Sequence, residues 1–577
     1  MESVVEPGHE TFFVLAKIDV ADPKFLKAER FAPGFNPPRE SGEIALVEAG
    51  GAPRRLAPVC GLGLLLQRYN QSMDENQPTA FSGRLYTADQ VRHLDQAAIE
   101  GHGIAGQELM ERAGRAAFTA IRERFSEQRK WLVVCGAGNN GGDGYVIARL
   151  AREAGIDCRL CALKSPDSLS GDAASAAQRW IDRGGNAELG PPRNVSDCDL
   201  IVDALLGTGL DRPAEGEYAA AISTINVSAA RVAAVDIPSG LNSDTGRAMG
   251  GIAVEAELTV TFIGLKRGLF TADGPDHAGK VQFAGLGVPR AAYETVNDSG
   301  ILIQENIILF HLAARRKNSH KGDYGWLLGL GGDRGMSGAL RLCGEAALRS
   351  GAGKVTLLTH PDHAAVVNAG RAELMVRGVA GGDEAAEALA DADVLVLGTG
   401  LGRSDWSKSL LEACRGIGKP MVLDADALNW LAEAGDVDDF IKTGSAVLTP
   451  HPAEAGRLLG LSAAEVQQDR VSAAQALADK SGAVVVLKGC GTVVSEPDGR
   501  YAICPLGNPG MASAGTGDVL SGVIGAMLAQ GLDAWAAATV GVVAHAAAGD
   551  RAASEIGERG LIASDLIERL PAVLNPR

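Results

Sequence analysis

The sequence contains no long hydrophobic run, few aromatic residues and fewer basic than acidic residues. No stretch approaches the roughly 20 apolar residues that a membrane-spanning helix needs, so we expect no membrane protein. Lysine and arginine total 54 against 71 aspartate and glutamate residues, which gives a formal net charge of -17. A surface of this charge would repel a phosphate backbone, so the composition argues against a nucleic-acid-binding protein.

The nine cysteines are scattered without the spacing of a disulfide framework. This is typical of a reducing compartment, and the acidic residues Glu2, Glu6 and Glu10 stand where a signal peptide would be basic, so we expect a cytoplasmic protein. Cys158 and Cys161 form a C-x-x-C pattern within a predicted strand. Because an odd separation on a strand places two side chains on opposite faces, we expect neither redox activity nor zinc binding there.

Glycine is abundant, with 74 residues in a chain of 577. A chain of this length exceeds one hydrophobic core, because cores stop growing near about 300 residues. Short apolar runs alternate with helical stretches, which is typical of parallel strands buried on both faces. We predict an α/β protein with two doubly wound domains over residues 81–295 and 305–577, preceded by a poorly ordered extension over residues 1–80.

The predicted strands fall into two series, separated by a polar connector around residues 287–305. A helix that Thr87 can cap precedes the first series. The first series comprises Trp131–Cys135, Asp157–Leu163, Leu200–Ala204, Val232–Val235 and Leu258–Ile263. The second series comprises Trp326–Leu330, Lys354–Leu358, Val394–Leu397, Met421–Leu423, Ala446–Leu448 and Val484–Leu487.

A glycine-rich segment with the sequence GNNGGDG, residues 138–144, follows the first predicted strand of the first half. We interpret it as a loop before a helix that begins at about Tyr145. Glycines let a backbone turn sharply and approach a ligand closely, and free amides at a helix N-terminus bind phosphate. The asparagine and aspartate side chains could also form hydrogen bonds or ligate a cation.

Two aspartates, Asp203 and Asp236, end predicted strands of the same half. Open α/β sheets bind ligands beyond the carboxyl ends of their strands. An aspartate there is either a turn residue or a functional acid, and the two together with the glycine-rich segment favour the functional interpretation.

The segments GNNGGDG at 138–144 and VDIPSG at 235–240 resemble the NAD(P)H-hydrate epimerase family, over roughly residues 85–290. The resemblance implies a Rossmann-like domain and a potassium ion held by Asn140, Asp203 and Ser239. The implied substrate contacts are Asn139, Asn140, Gly141, Gly142, Asp143, Gly207, Thr208, Gly209, Leu210, Asp211, Arg212, Pro213 and Asp236.

The chemistry of such an epimerase requires little from the protein. Inversion at C6 of a hydrated nicotinamide needs C6–O cleavage, assisted by the adjacent nitrogen lone pair, and re-addition on the other face. Proton transfer at oxygen remains for the protein, and we assign Asp236 as the catalytic acid/base group.

The second half contains the segment GNPGMASAGTGDVLSG at residues 507–522. Residues 515–518 are predicted to open a helix, whose amides would form an anion hole beside Asp518. This arrangement suits phosphoryl transfer to an alcohol, because the helix end stabilises charge while the carboxylate accepts the hydroxyl proton. Asp518 is therefore the predicted catalytic base of this half.

This motif resembles the ribokinase-like superfamily, and four other segments resemble its NAD(P)H-hydrate dehydratase branch, over about residues 305–570. They are KGDYG at 321–325, GMSGA at 335–339, GLG at 400–402 and PHPAE at 450–454, where the family usually has glycine at position 453. The implied hydrate contacts are Ala339, Gly402, His451 and Asp518, and the implied nucleotide contacts are Lys488, Gly489, Cys490, Gly491, Thr492 and Gly517. The Lys488 ammonium is expected to meet phosphate oxygens directly.

The whole chain thus resembles the bifunctional NAD(P)H-hydrate repair enzymes. The expected dehydratase phosphorylates the C6 hydroxyl from ADP, or ATP in some relatives, with Mg²⁺, and then expels phosphate. ADP is the expected co-substrate and K⁺ the ion of the epimerase half. We also expect a homo-oligomer.

Two alternatives stay open from the sequence. The chain could be a ribokinase-like kinase of a small alcohol, in which Asp518 keeps its role. The first half could also be a scaffold or nucleotide-sensing domain without enzymatic activity.

Overall fold

The computed structural model describes residues 83–296, 300–435, 437–441 and 445–575, together with four short strands within residues 1–80. Residues 1–80 form one compact unit and residues 81–577 a second. In the first unit, β1 (Leu15–Ile18) pairs antiparallel with β2 (Leu26–Glu29), and β3 (Ala45–Leu46) pairs with β4 (Arg54–Arg55). The prediction of poor order in residues 1–80 concerns mainly residues outside those described.

The second unit contains two sheets, and its strands follow in chain order. They are β5 (Arg84–Tyr86), β6 (Lys130–Cys135), β7 (Asp157–Ala162), β8 (Ala187–Leu189), β9 (Leu200–Ala204), β10 (Arg231–Val235), β11 (Leu258–Phe262), β12 (Leu265–Lys266), β13 (Lys280–Ala284), β14 (Gly300–Leu302), β15 (Trp326–Leu330), β16 (Lys354–Thr359), β17 (Met375–Gly378), β18 (Val394–Leu397), β19 (Met421–Leu423), β20 (Ala446–Leu448), β21 (Val484–Leu487), β22 (Thr492–Ser495) and β23 (Tyr501–Cys504).

The first sheet has seven strands in the order β13-β11-β10-β9-β6-β7-β8, all paired in parallel. The chain winds outward from β6 in both directions, so the order reverses between β6 and β9. Ligand crevices of open α/β sheets lie at such a switch point. The segments that follow β6 and β9 therefore border the expected crevice.

The second sheet has twelve strands in the order β12-β5-β14-β23-β22-β21-β20-β19-β18-β15-β16-β17. From β21 to β17 all pairs are parallel, whereas β21, β22 and β23 form an antiparallel meander. The order reverses between β15 and β18. Three strands of this sheet, β12, β5 and β14, come from residues before position 305.

Helices cover the faces of both sheets. The α-helices are Ala88–Gln96, Gly106–Arg124, Asn139–Glu153, Gly171–Asp182, Glu217–Asn226, Gly274–Ala278, Arg290–Tyr293, Asn306–His311, Ser337–Arg349, Gly382–Asp391, Asp405–Cys414, Ala425–Ala434, Val437–Ile441, Pro452–Leu459, Ala463–Gln468, Arg470–Ser481, Thr516–Ala529, Ala534–Ile556 and Ala563–Leu574. Short 3₁₀ turns are Pro166–Ser168, Val195–Asp197, Met249–Gly251, Arg267–Phe270, Lys321–Tyr324, Pro361–His363 and Pro509–Met511, and Ala97–Gly101 is a π-helical turn. Thr87 caps the first helix as predicted, by accepting a hydrogen bond from the Gln90 amide.

The predicted α/β class with two doubly wound sheets is confirmed. All eleven predicted strands are present, and none of their ends differs from the prediction by more than one residue. Buried aliphatic residues form separate clusters on the two faces of each sheet. Cys158 packs against one of these clusters and Cys161 belongs to another, as expected for opposite faces of β7.

Among the described residues, no helix is long and apolar enough to cross a membrane. The eight cysteines that the structure describes are all free thiols.

Candidate active sites

The glycine-rich segment after β6 is the first turn of a helix rather than a loop. The helix Asn139–Glu153 begins six residues before the predicted position of about Tyr145. A Cβ at Gly141 would lie 2.1 Å from the Gly136 carbonyl oxygen, and one at Gly144 would lie 2.6 Å from Cys135 Sγ. The sequence-based boundary was wrong because these glycines allow the helix to pack closely against the end of β6, instead of keeping the segment irregular.

Asn140 presents a buried amide that lacks a partner. Its side chain is 7% exposed, and neither Oδ1 nor Nδ2 has a hydrogen-bond partner among the described residues. A Cβ at Gly207 would lie 3.3 Å from the Asn140 Cβ and 3.5 Å from Asp236 Oδ2. The segment after β9 therefore passes between these two predicted site residues, and a buried unpaired amide beside it points to a bound group.

Asp203 and Ser239, two of the three implied potassium ligands, are hydrogen-bonded to each other. The Ser239 hydroxyl donates to Asp203 Oδ1 at 2.7 Å and the Ser239 amide donates to Oδ2 at 2.8 Å. Burial raises the pKa of Asp203 to about 6, although the hydrogen bonds from Ser239 and Leu205 oppose the shift. No basic side chain among the described residues pairs with this carboxyl group. Carboxylate, hydroxyl and amide oxygens are ligands that suit a hard cation, so these residues fit the implied potassium ion.

Asp236 follows β10 in a left-handed conformation, with φ of 68°. One carboxylate oxygen accepts from the Lys266 ammonium and the other from the hydroxyl and amide of Thr208. Burial alone would raise the pKa of Asp236, but the charge of Lys266 and the hydrogen bonds together hold it below its ordinary value. Asp236 is therefore ionised at neutral pH.

Lys266 was missing from the predicted site. Its side chain is 1% exposed and also donates to Thr261 Oγ1 at 3.0 Å and to the Phe262 carbonyl at 2.9 Å. Lys266 ends β12, which belongs to the second sheet, and lies four residues after the end of β11. Its position after a buried strand was the signal that the sequence offered.

Two further carboxyl groups, Asp95 and Asp143, interact electrostatically with this ion pair. The pKa of Asp143 is raised well above its usual range by burial and by the charges of Asp236 and Asp95. Burial raises the pKa of Asp95 to about 6. The first site thus combines an ionised carboxylate, Asp236, with a buried carboxyl group, Asp143, whose pKa is raised.

The remaining predicted contacts lie at the rim of this site. Asn139, Gly209, Asp211, Arg212 and Pro213 are exposed, and Leu210 is half-buried. Thr208, in contrast, binds Asp236 directly.

In the second half, the motif at residues 515–518 opens the helix Thr516–Ala529 as predicted. Gly515 adopts a φ of 94° before the helix, and Asp518 lies in its first turn. The Thr516 carbonyl accepts a hydrogen bond at 2.9 Å from Nε2 of His545, which is buried and whose pKa is lowered to about 4. His545 is therefore neutral at pH 7 and is hydrogen-bonded to this helix end.

Asp518 has a strongly perturbed carboxyl group. Burial and the negative charges of Asp424 and Asp426 raise its pKa to about 7, although Lys488 opposes the shift. A base with a pKa near the working pH is well placed for proton transfer from a hydroxyl group.

Lys488 is paired with carboxylates, an arrangement that the sequence did not reveal. Its Nζ lies 2.7 Å from Asp424 Oδ1 and 3.8 Å from Glu454 Oε2. Ser521, one turn after Gly517, donates to the second Asp424 oxygen at 2.6 Å. A Cβ at Gly517 would lie 3.5 Å from Lys488 Nζ, so the predicted nucleotide contacts Gly517 and Lys488 adjoin each other.

His451 caps the helix Pro452–Leu459. Its Nδ1 accepts from the amides of Ala453 at 3.1 Å and Glu454 at 3.3 Å, and its Nε2 lies 3.2 Å from Glu454 Oε1. Burial and the charge of Lys488 lower its pKa. The cap gives His451 a structural role, while its side chain stays 48% exposed and accessible to a ligand.

The other two predicted hydrate contacts adjoin the same cluster. The Gly402 amide donates to Asp426 Oδ2 at 2.8 Å, and a Cβ at Gly402 would lie 2.8 Å from Asp333 Oδ2. A Cβ at Gly400 would lie 3.1 Å from the Ala339 Cβ. Asp424, Asp426, Glu454 and Asp333 were not predicted as site residues, although Glu454 lies in a recognised segment.

Comparisons with known proteins match both halves of the chain. The family model NAD(P)H-hydrate dehydratase matches residues 327–572, and the model YjeF-related protein N-terminus matches residues 106–268. The bifunctional NAD(P)H-hydrate repair enzyme Nnr of Coxiella burnetii is 45% identical over 493 residues, which cover 85% of this chain and 99% of the relative. The chain belongs to the family of bifunctional NAD(P)H-hydrate repair enzymes.

Another relative is the Nnr protein of Escherichia coli, 44% identical over 88% of this chain and 97% of its own length. Among solved structures, the ADP/ATP-dependent NAD(P)H-hydrate dehydratase of Bacillus subtilis, co-crystallised with ATP and Mg²⁺, is 30% identical with a TM-score of 0.42. It aligns with 47% of this chain and 96% of its own. The predicted family and the assignment as a metabolite-repair enzyme, with an epimerase and a dehydratase part, are confirmed.

Proposed function

We propose that the first site interconverts the R and S forms of hydrated NADH and NADPH, and that the second dehydrates the S form with ADP, giving AMP and phosphate. The observation that carries the dehydratase assignment is the position of Asp518 in the first turn of its helix, beside Lys488 and Gly517. The helix amides and the lysine supply positive charge where a phosphoryl group would be transferred.

In the second site, Asp518 takes the proton of the C6 hydroxyl as its oxygen attacks the terminal phosphorus of ADP. AMP leaves, and the hydroxyl has become a phosphate ester. The ring nitrogen lone pair then expels phosphate from C6, and loss of a proton from C5 restores the C5=C6 double bond of the reduced nicotinamide. Ala339, Gly402 and His451 would orient the hydrate, and the segment 488–492 would bind the nucleotide.

Magnesium fits this site as an ion that arrives with the nucleotide. The described residues contain no preformed group of three or more histidine, cysteine or acidic side chains that could hold a metal ion. Mg²⁺ is commonly held by one or two carboxylates together with substrate phosphates, and Asp424 and Glu454 are the carboxylates beside Lys488. The ion would supply charge neutralisation of the phosphates.

In the first site, we assign two carboxyl groups to opposite proton transfers. Asp143, whose pKa is raised by burial and by the neighbouring carboxylates, gives a proton to the departing C6 hydroxyl, and ionised Asp236 accepts one from the water that adds to the other face. This division deepens the assignment of Asp236 as the acid/base group, because the Lys266 ion pair suits it to accept rather than to donate. Potassium, bound by Asn140, Asp203 and Ser239, would fix the substrate-binding segments.

The decisive experiment supplies hydrated NADH with ADP or ATP and follows the absorbance of the reduced nicotinamide. Return of that absorbance with either nucleotide supports the repair activity, and no return with both contradicts it. The kinase alternative predicts phosphorylation of a small alcohol instead. Epimerase activity is measured separately, as interconversion of the two hydrate forms without nucleotide.

We further propose that the enzyme acts in the cytoplasm, which the eight free thiols support. The homo-oligomer stays a prediction, and light scattering of the intact chain measures it.

A further inference from the structure

The predicted nucleotide loop, residues 488–492, rests on a segment from the first half of the chain. The Ala272 amide donates to the Cys490 carbonyl at 3.3 Å, and the Thr271 hydroxyl lies 3.1 Å from the Gly491 carbonyl. A Cβ at Gly491 would lie 1.9 Å from the Phe270 carbonyl oxygen, so glycine permits this close approach. The two backbones therefore pack directly against each other.

The same segment reaches into the first active site. Lys266, which pairs with Asp236, is followed by the 3₁₀ turn Arg267–Phe270 and then by Thr271. Four residues thus separate the lysine of the first site from the threonine that contacts the nucleotide loop. Because the segment is so short, a displacement of one end would also displace the other end.

Arg470 is hydrogen-bonded to both Thr271 and the start of the nucleotide loop. Its side chain is 1% exposed, and its Nε donates to Thr271 Oγ1 at 3.1 Å. Its Nη2 donates to the carbonyls of Leu487 at 3.1 Å and Lys488 at 3.2 Å. A Cβ at Gly489 would lie 2.9 Å from both terminal nitrogens of the guanidinium, so the loop lies directly on it.

The guanidinium of Arg470 has no carboxylate partner among the described residues. Besides these bonds, it donates to Gln467 Oε1 at 2.6 Å. Burial lowers its pKa to about 10, so it stays charged at neutral pH. Burial of a cation that only neutral groups accept from lowers the stability of the folded protein. The Arg470 guanidinium contacts the loop that would meet the phosphates of ADP.

We propose that Arg470 and Thr271 are positioning residues of the nucleotide loop, and that through them the two active sites are energetically coupled. The inference rests on the proposed function, because it takes residues 488–492 as the ADP-binding loop. When bound ADP orders the loop, Thr271 and the segment between Lys266 and Thr271 become ordered as well. Since coupling between binding sites is reciprocal, a ligand beside Asp236 then changes the affinity for ADP by the same factor.

The first test measures ADP binding by calorimetry on the full chain. Thr271→Val removes the hydroxyl with little change in volume, and we expect the Kd of ADP to rise at least fivefold. Thr271→Ser restores the hydroxyl and should bring the Kd back to within twofold of the unmodified protein. The matched control is Thr539→Val, since Thr539 is equally buried but bonds only within its own helix.

A Kd for Thr271→Val equal to that of the control would overturn the positioning role. Failure of the proposed function gives a different result, because the unmodified chain would then not bind ADP at all, or would bind it unchanged in Lys488→Met.

The second test measures the coupling itself in an Asp518→Asn background, in which the hydrate is not consumed. The KM for interconversion of the hydrated NADH epimers is measured with and without saturating ADP. We expect a change of threefold or more, and none when Thr271→Val is added. Equal KM values with and without ADP in the Asp518→Asn protein would refute coupling.

Discussion

Nζ of Lys488 lies 2.7 Å from Asp424 Oδ1, next to the helix end that carries Asp518. The lysine was expected to meet phosphate directly, and its partner reveals a charge balance that the sequence did not. Asp424 holds the ammonium in place and, through its own negative charge, raises the pKa of Asp518. One carboxylate thus influences both the anion-binding group and the base.

Asp518→Asn should abolish dehydration while leaving the fold intact. Loss of a general base typically lowers the rate by about 10² to 10⁴-fold. The return of NADH absorbance with ADP measures the loss. Asp405→Asn, an exposed aspartate in the first turn of the helix Asp405–Cys414, is the control and should keep full activity. Comparable rates in the two variants would remove Asp518 from the mechanism.

The dehydratase rate should depend on pH through Asp518. Its pKa is raised to about 7, and the base works only when ionised, so kcat/KM should fall as the pH drops below about 7. Asp424→Asn removes a negative charge that raises this pKa, so the midpoint should move to lower pH. A pH profile of both proteins measures the shift, and an unmoved midpoint contradicts the assignment.

Lys266→Met should lower the epimerase rate by about 10²-fold, the size of effect expected when a proton-transfer group is lost or mistuned. Without the ammonium, buried Asp236 loses the main charge that keeps it ionised, and its pKa should rise. Interconversion should then increase with pH across the neutral range. Lys280→Met changes an exposed lysine of β13 and serves as the control. An epimerase unaffected by Lys266→Met would exclude the ion pair from catalysis.

Potassium should stabilise the folded protein. An ion that binds only the folded state raises the melting temperature, so Tm should be higher in KCl than in choline chloride of equal concentration. Asn140→Ala removes one proposed ligand and should reduce this difference. Asn139→Ala alters the exposed neighbour and should preserve it. Equal Tm values in both salts for the unmodified chain would argue against the ion.

Gly141→Ala should destabilise the protein by about 1 to 3 kcal/mol or more, because the new methyl group would overlap the Gly136 carbonyl. Gly138→Ala is the control, since no atom lies within 4 Å of its added Cβ and its φ is -94°. Urea denaturation compares the two. Equal free energies of unfolding would mean that the backbone adjusts freely at this point.

The eleven strands of the two predicted series could be recognised in the sequence because they are buried on both faces and therefore consist of continuous apolar runs. The buried strands β22 and β23 inside the second sheet were nevertheless missed. The edge strands β8, β13 and β17, which are partly exposed, were missed as well. Their hydrophobic signal is weak, since much of each strand faces solvent. The early start of the helix at Asn139 was missed because glycine ordinarily disfavours a helix, and here tertiary packing overrides that preference.

Asp203 and Asp236 could be selected because they stand at the ends of predicted strands, and Asp518 because it lies in a recognisable segment at a helix start. Lys266 and Asp424 follow predicted strands but lie in none of the recognised segments, and Asp95 lies within the first helix, so none of the three was predicted. Only folding brings them next to the predicted groups. The tie between Thr271 and Arg470 joins residues 199 positions apart, a relation that local patterns cannot contain.

The second sheet begins on strands supplied by the first half, since β14 pairs with both β23 and β5, and β5 pairs with β12. A fragment that starts at residue 305 would therefore leave the buried strand β23 as a bare edge, which invites association with other chains. The first half of the chain thus supplies one border of the second sheet. A dehydratase fragment that starts at or before Gly300 would keep β14 paired with β23.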